Sequence, residues 1–301
     1  MMVKDLTIAI PTYNRNDFLI KILDTIPNNE LVVISDNGGS VTEDIINKHP
    51  GFLFVKPPEK LEMFENWNFC INKVQTKWFI IPSDDDLFYV NAFSKINAAI
   101  EKYDDADIII FGHNTIDEFD NVLSVWSPHE IKILEKPNGY NYFKYGVEAR
   151  LPSIIFKTDF AKSYGFFDES YVFTAADSLL IQKCMLNGKA VLLPDIISAY
   201  RIWQNNFTSK YISSKEWLLK IDKWQDEIAQ DVKIVYGNLN LTINSSHIKD
   251  EVYANNLLAG IVNKKSKYGF KEAFIFVKSV RFPWRAKFIT KLKIIKALLI
   301  K

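Results

Sequence analysis

The stretch Trp78-Phe-Ile-Ile-Pro-Ser-Asp-Asp-Asp-Leu87 decides how the chain around it is read. Four residues of strand character end at Pro82, and Asp84, Asp85 and Asp86 follow before apolar residues resume. Three carboxylates therefore stand at the mouth of a buried strand. Adjacent like charges raise one another's pKa, so such a cluster beside hydrophobic surface calls for a cation. A hard divalent ion suits it, and Mg2+ or Mn2+ commonly shares such carboxylates with a phosphate. The competing reading is a solvated acidic turn, and the flanking chain has to decide between them.

Toward the N-terminus, Leu6-Thr-Ile-Ala-Ile10 reads as a short strand ended by Pro11. The polar run Thr12-Tyr-Asn-Arg15 follows, then a helical pattern with Phe18, Leu19, Ile22 and Leu23 on one side. Leu31-Val-Val-Ile-Ser35 is a second strand, Asp36-Asn-Gly-Gly-Ser40 its loop, and residues 42–48 a helix. Phe52-Leu-Phe-Val55 is a third strand, and a helix over 63–73 leads into Trp78. Strands alternating with helices predict a parallel sheet with right-handed crossovers, whose ligands bind beyond the carboxyl ends of the strands. Three polar loops, 11–15, 36–40 and 83–86, are thereby predicted to form one site at one edge of the sheet.

Toward the C-terminus, residues 91–101 read as a helix and 107–111 as a strand, and Asp120-Asn121 marks a hairpin turn within 119–126. Residues 136–145 have helical character and Ser153-Ile-Ile-Phe156 is a late strand. After a turn at Gly165, a helix over 176–187 is closed by Gly188, and apolar segments 190–193 and 197–202 flank Pro194. From about residue 206 the strand pattern gives way to helices. The expected division is a sheet-based domain, 1–205, and a helical region, 206–301.

Taken in order, these segments resemble family 2 glycosyltransferases of the GT-A fold. Ile10-Pro-Thr-Tyr-Asn-Arg15 is similar to that family's opening strand and loop, and Val33-Ile-Ser-Asp-Asn-Gly-Gly-Ser40 to the end of its second strand. Glu65-Asn-Trp-Asn-Phe-Cys-Ile-Asn72 resembles the helix before the metal strand, and Ser83-Asp-Asp-Asp86 the Asp-x-Asp element. Tyr164-Gly-Phe-Phe-Asp-Glu169 is similar to the family's Gly-Phe-Asp-Glu turn. Ala176-Asp177 falls where a Glu-Asp pair stands, and the segment from Pro194 to Arg201 resembles one ending in Tyr-Arg.

The resemblance implies an α/β, Rossmann-like, mostly parallel sheet flanked by helices, with a C-terminal helical extension. It implies an inverting, metal-dependent transfer of a sugar from a nucleotide sugar, UDP-linked, to a hydroxyl of a saccharide or lipid-linked saccharide in surface-glycan synthesis. Such chemistry needs a Lewis acid on the departing diphosphate and a base for the acceptor hydroxyl. By the same resemblance, Asp36 contacts the uracil or ribose, Tyr13 lies near the base, and Pro11, Thr12, Asn14 and Asn68 complete the nucleotide site. Asp84 would lie by the ribose, Asp85 or Asp86 would hold Mn2+ or Mg2+, with Asp85 also counted toward the nucleotide, and Asp177 would be the base. Two registers of the triple acid fit the pattern, so the ligating carboxylate stays open. Arg201 is expected on diphosphate or acceptor through its bidentate fork.

Ala176 replaces the acid that usually precedes the base, and Trp203 stands where the family often has His. Plainer roles also exist: Asp36 as an Asx-turn residue, Asp177 as a helix N-cap.

At 301 residues and 48% hydrophobic, the chain is globular. Asp5 and Pro11 interrupt the apolar stretch near the N-terminus, and no run reaches the roughly 18 residues that span a bilayer, so neither a signal peptide nor a transmembrane helix is expected. Cys70 and Cys184 lack metal-ligand spacing and read as reduced core thiols of a cytoplasmic protein.

From Lys264 to Lys301 twelve Lys and Arg face Glu272 alone, a net of +11, which leaves −10 on the first 263 residues of a chain of net +1. Past Pro283, Phe288, Leu292, Ile295 and Leu299 fall at helical spacing with Lys287, Lys291 and Lys293 beside them, as in helices lying on anionic membranes. The alternative is a basic helix packed on the catalytic domain. Nucleic acid is not expected, since no reader motif accompanies the charge. Localisation is then peripheral, on the inner face of the cytoplasmic membrane. A non-catalytic saccharide-binding protein with a degenerate site is the runner-up; a sugar nucleotidyltransferase would want a Gly-rich basic phosphate loop in place of Pro11-Thr-Tyr-Asn14.

Overall fold

β1 (Leu6–Thr12) is buried at every position, the signature of a strand covered on both faces. In the computed structural model, which describes residues 5–203 and 207–299, it lies inside a ten-stranded sheet. β1 pairs in parallel with β2 (Leu31–Asp36) and β4 (Trp78–Ile80), and β2 with β3 (Leu53–Val55). The crossovers are α1 (Asn16–Asp24), α2 (Glu43–Lys48) and α3 (Met63–Ile71), as the alternating pattern predicts.

Beyond β4 the sheet becomes mixed. β5 (Leu87–Phe88) and α4 (Ala92–Lys102) precede β6 (Ile108–Ile116), which turns back antiparallel into β7 (Val122–Trp126); β8 (Lys132–Leu134) follows. α5 (Asn138–Phe143) leads on to β9 (Ile154–Lys157), which inserts between β4 and β6, antiparallel to both. α6 (Thr158–Lys162) and α7 (Ala176–Asn187) come before β10 (Ala190–Arg201), which runs parallel to β6. The strand order is β3-β2-β1-β4-β9-β6-β10-β5, with β7 on β6 and β8 on β10. The apolar segments flanking Pro194 are one strand, interrupted by register shifts between Leu192 and Ser198. Gly188 closes α7 because a Cβ there would stand 2.8 Å from Asp107 and Phe160, so close packing rather than a left-handed turn demands glycine.

Among the described residues four further helices follow: α8 (Phe207–Tyr211), α9 (Lys215–Asn238), α10 (Ser245–Lys278) and α11 (Phe288–Leu299). α10 is broken at Gly269, whose φ of 83° and ψ of 177° only glycine adopts readily. The chain forms two compact units, one of residues 1–139, 148–172 and 184–203, the other of 140–147, 173–183 and 204–301. The expected boundary at 205/206 lies outside the described residues, and two segments from the first 205 residues belong to the second unit.

The first unit's core includes Ile8, Ile10, Val32, Ile34, Trp78, Ile80, Ile109 and Val191. In the second, Trp217, Ile221, Trp224, Ile228 and Val232 are the buried stripe of α9, and Trp224 Nε1 donates to Gln182 Oε1 at 2.9 Å. Cys70 and Cys184 are free and wholly buried; burial pushes the Cys70 thiol up to about 12 and that of Cys184 higher still.

Candidate active site

Parallel pairing of β1, β2 and β4 ends the three strands at the same edge, so the loops after them meet. Asn16 Nδ2 donates to Ser40 O at 2.7 Å, and Asn37 N donates to Thr12 O at 3.1 Å. Asn14, at φ 56°, packs so closely on Gly38 that a Cβ at residue 38 would fall 1.9 Å from Asn14 Oδ1. Tyr13 is exposed, with Lys60 Nζ 4.9 Å from its ring centre, while Pro11 and Thr12 close β1 opposite Ser35 and Asp36.

The third loop carries the acids, and all three are buried. Thr12 Oγ1 donates to Asp84 Oδ2 at 2.6 Å. The Arg15 guanidinium straddles two of them: Nη1 lies 2.7 Å from Asp85 Oδ2, Nε donates to Asp84 Oδ2 at 3.2 Å, and Nη2 pairs with Asp84 Oδ1. Asp86 is held by backbone amides, accepting from Ser83 N at 2.8 Å and Arg201 N at 3.1 Å. Trp203 Nε1 donates to Asp85 Oδ2 at 3.1 Å, and among the described residues Asp85 Oδ1 has no partner.

Burial raises Asp84 to about 6, although Arg15 pulls it back down. Burial and the Asp85 charge put Asp86 well above the usual carboxylate range. For Arg15 burial acts downward, yet Asp84 and Asp85 outweigh it and hold the guanidinium above its ordinary value.

Arg201, expected on diphosphate or acceptor, is turned into the protein instead. Its side chain is wholly buried: Nε donates to Asp85 O at 2.7 Å, Nη1 to Asp117 O at 2.6 Å, and Nη2 pairs with Asp120 Oδ1 at 2.5 Å. It thus ties the β6–β7 turn to the acid loop, over the Phe18 ring at 5.1 Å. Asn68 is likewise committed inward, clamping the 166–169 turn through Phe167 O at 2.7 Å, Phe167 N at 3.1 Å and Glu169 Oε1 at 2.9 Å. Asp36 accepts from Ser40 N at 3.1 Å and Val41 N at 3.0 Å, four and five residues on, and so braces its own loop without the two-residue closure of an Asx turn. Asp177 lies in the second unit, half-buried in the first turn of α7, where Oδ1 accepts from Ser178 N at 2.8 Å. Val172 and Ala175, just ahead of it, have φ of 65° and 72°, conformations L side chains tolerate poorly.

Two partners were not assigned from sequence. In the sequence Trp203 stands out only as a departure from the family pattern, and Arg15 only as part of a motif. The signal for Arg15 was present: a buried triple acid requires a cation, and the adjoining loop supplies one.

A divalent ion can be tested against this donor set. Among the described residues no three His, Cys, Asp or Glu side chains converge on one point. Asp84 and Asp86 have both oxygens engaged, which leaves Asp85 Oδ1. One carboxylate together with substrate phosphates is a common setting for Mg2+ and its relatives. The residues fit a cation held by Asp85 and shared with a diphosphate.

A sheet of this order with buried acids beyond its strand ends defines a glycosyltransferase fold of the GT-A kind. Staphylococcus aureus TarS 1–349 in complex with UDP-GlcNAc superposes with a TM-score of 0.64 at 16% identity, over 98% of this chain and 89% of that one. The mannosyltransferase PcManGT of Pyrobaculum calidifontis, in complex with GDP-Man and Mn2+, gives 0.54 at 14% identity, over 97% and 85%. The chain belongs to glycosyl transferase family 2, whose model matches residues 7–165. It is 27% identical over 180 residues to an uncharacterised glycosyltransferase of Rickettsia typhi and 26% to one of Rickettsia prowazekii, matches covering 56% of this chain and 55% of each relative. The chain thus spans about half the length of those relatives.

Proposed function

We propose that the protein transfers a glycosyl group, with inversion, from a UDP-linked sugar to a hydroxyl of a saccharide or lipid-linked saccharide in surface-glycan synthesis. The observation that carries this reading is the seating of the 11–15 loop on Asp84 and Asp85, with the 36–40 loop bonded to the chain beside it and one oxygen of Asp85 open. The complexes of TarS with UDP-GlcNAc and of PcManGT with GDP-Man and Mn2+ support a nucleotide sugar and a divalent ion as ligands of such a site.

In this reading Tyr13 and the 11–15 loop receive the base, and Thr12 and Arg15 hold Asp84 beside the ribose. Asp85 supplies the protein's ligand for Mn2+ or Mg2+, which when bound neutralises charge on the departing diphosphate as a Lewis acid. Arg201 acts as a positioning residue by fixing the Asp85 carbonyl. Asp177 takes the proton of the acceptor hydroxyl as that oxygen attacks the anomeric carbon, and attack opposite the leaving group inverts the centre.

Binding and transfer measured side by side test this. Calorimetric titrations of UDP and GDP, each with Mn2+, Mg2+ or chelator, should give UDP binding that needs the cation and disappears in Asp85→Ala. Asp177→Asn should bind UDP normally and lose transfer by roughly 100-fold or more. Wild-type protein that binds neither nucleotide with any cation would favour the saccharide-binding reading, and an active Asp177→Asn would discard the assigned base.

The same reading includes a membrane partner for a lipid-linked acceptor. It is supported by the exposed apolar residues of α11 and the cations beside them.

A further inference from the structure

We propose that Arg15 is the acid loop's built-in counter-cation, guarding the place of the divalent ion so that cation and nucleotide diphosphate bind as a pair. The inference rests on reading the loop as the donor site, and it assigns to Arg15 a task that its motif does not.

Its geometry has three parts. The guanidinium engages Asp84 and Asp85 together, and Asp85 is the acid with the open oxygen. The acids are sealed, with side chains 0% and 9% exposed, whereas the Arg15 side chain is 31% exposed and so has solvent to move into. The backbone beneath it is fixed independently, since Arg15 O accepts from Phe18 N at 3.1 Å and Leu19 N at 2.9 Å at the start of α1. The side chain can therefore leave the acids without disturbing the helix.

The electrostatics follow. A dication arriving alone at Asp85 meets a guanidinium already on the same carboxylate, and the two cations repel across a site shielded from water. A diphosphate reverses the sign of that encounter: both cations now have anionic oxygens to share, and Arg15 can turn from carboxylate to phosphate through the same fork of donors. Free metal is disfavoured and the metal–diphosphate pair is favoured. The carboxylates remain neutralised between turnovers, when a bare triple acid would be hardest to keep buried.

The test uses Mn2+ binding to the nucleotide-free protein, followed by the paramagnetic resonance signal of free Mn2+, for wild type, Arg15→Gln and Arg15→Lys. Arg15→Gln should bind free Mn2+ at least about tenfold more tightly than wild type, and UDP should raise its Mn2+ affinity at least about tenfold less than it raises that of wild type. Arg15→Lys, which keeps a charge without the fork, should fall between them. Thermal melting confirms that each variant is folded, and if Arg15→Gln is not, Arg15→Lys carries the comparison. Free-Mn2+ affinity that is unchanged or weaker in the folded variants overturns the proposal. Absence of wild-type nucleotide binding with every cation would overturn the transferase reading instead, and the free-Mn2+ comparison would still decide for Arg15.

Discussion

Asp84, Asp85 and Asp86 are chemically identical neighbours, yet the fold gives each different partners: a threonine and an arginine, an arginine and a tryptophan, two backbone amides. Which carboxylate has an oxygen to offer is therefore a tertiary fact. Sequence narrows the ligand to two registers and stops, because apart from the local Ser83 amide on Asp86 the bonds that choose between them span 69 to 118 residues. The same limit explains Arg201 and Asn68, whose residue types suit ligand binding but whose heads meet buried backbone that no local pattern announces. Composition is equally silent about His113. It is buried on β6, stacks on Trp126 at 5.5 Å, and is held down to about 4 by burial and by Arg150. In the unfolded chain its value is near 6.5. The native state thus refuses a proton that the unfolded state accepts, and stability falls as pH drops from about 6.5 to about 4. The shift corresponds to about 3 kcal/mol. Denaturant unfolding at pH 7.5 and pH 4.5 should show wild type losing about that much more than His113→Gln; equal losses would remove His113 as the cause.

At the scale of elements, the parallel half is legible because β1, β2 and β3 pair in sequence order, each with the next across one helix, and β4 follows a third helix; hydrophobic runs with turn residues suffice to find them. The antiparallel insertion of β9 between β4 and β6 was not, since a four-residue apolar run carries no direction. β10 read as two segments because proline removes a ladder donor; the strand absorbs Pro194 at an irregularity, and the Pro194 carbonyl accepts from Ser127 Oγ at 2.7 Å. The long helix α10 holds a comparable surprise at Gly269. Nothing stands within 4 Å of where its Cβ would be, so an alanine there would meet no clash and feel the backbone alone. Gly269→Ala should accordingly lower stability by about 1–3 kcal/mol. A thermal melt shows it directly, and a variant as stable as wild type would mean that the helix runs straight through this residue in solution.

Taken whole, the chain places its excess of positive charge in one terminal stretch, and the second unit shows how that stretch is used. Part of it is internal: Arg281 forks onto Asp222 at 2.7 and 2.9 Å and reaches Asp250 at 2.6 Å, while Thr290 Oγ1 donates to Glu251 at 2.6 Å and Ile294 is wholly buried. α11 is thereby seated on α10 by Thr290 and Ile294, within the second unit, whereas the packed-helix alternative placed it on the catalytic domain. The stripe read from sequence lies on other faces: Phe288 is 73% and Leu299 74% exposed, Leu292 and Ile295 are exposed between them, and Lys293 and Lys296 are exposed alongside. Among the described residues no helix is long and apolar enough to cross a membrane, so contact through this helix would be interfacial. Deleting residues 282–301 would confound the question by uncovering Asp250 and Glu251. The cleaner variant combines Phe288→Ser, Leu292→Ser and Leu299→Ser, which removes exposed apolar surface and spares Ile294. Full burial of such side chains is worth about 1.5–3 kcal/mol each, and partial insertion of three still exceeds a tenfold change in partition. Cosedimentation with phosphatidylglycerol vesicles should fall at least about tenfold in the triple variant, with its melting temperature unchanged and with both proteins binding phosphatidylcholine vesicles weakly. A triple variant that sediments with anionic vesicles as wild type does would discard the apolar stripe as the contact and put that binding on the lysines or on another surface.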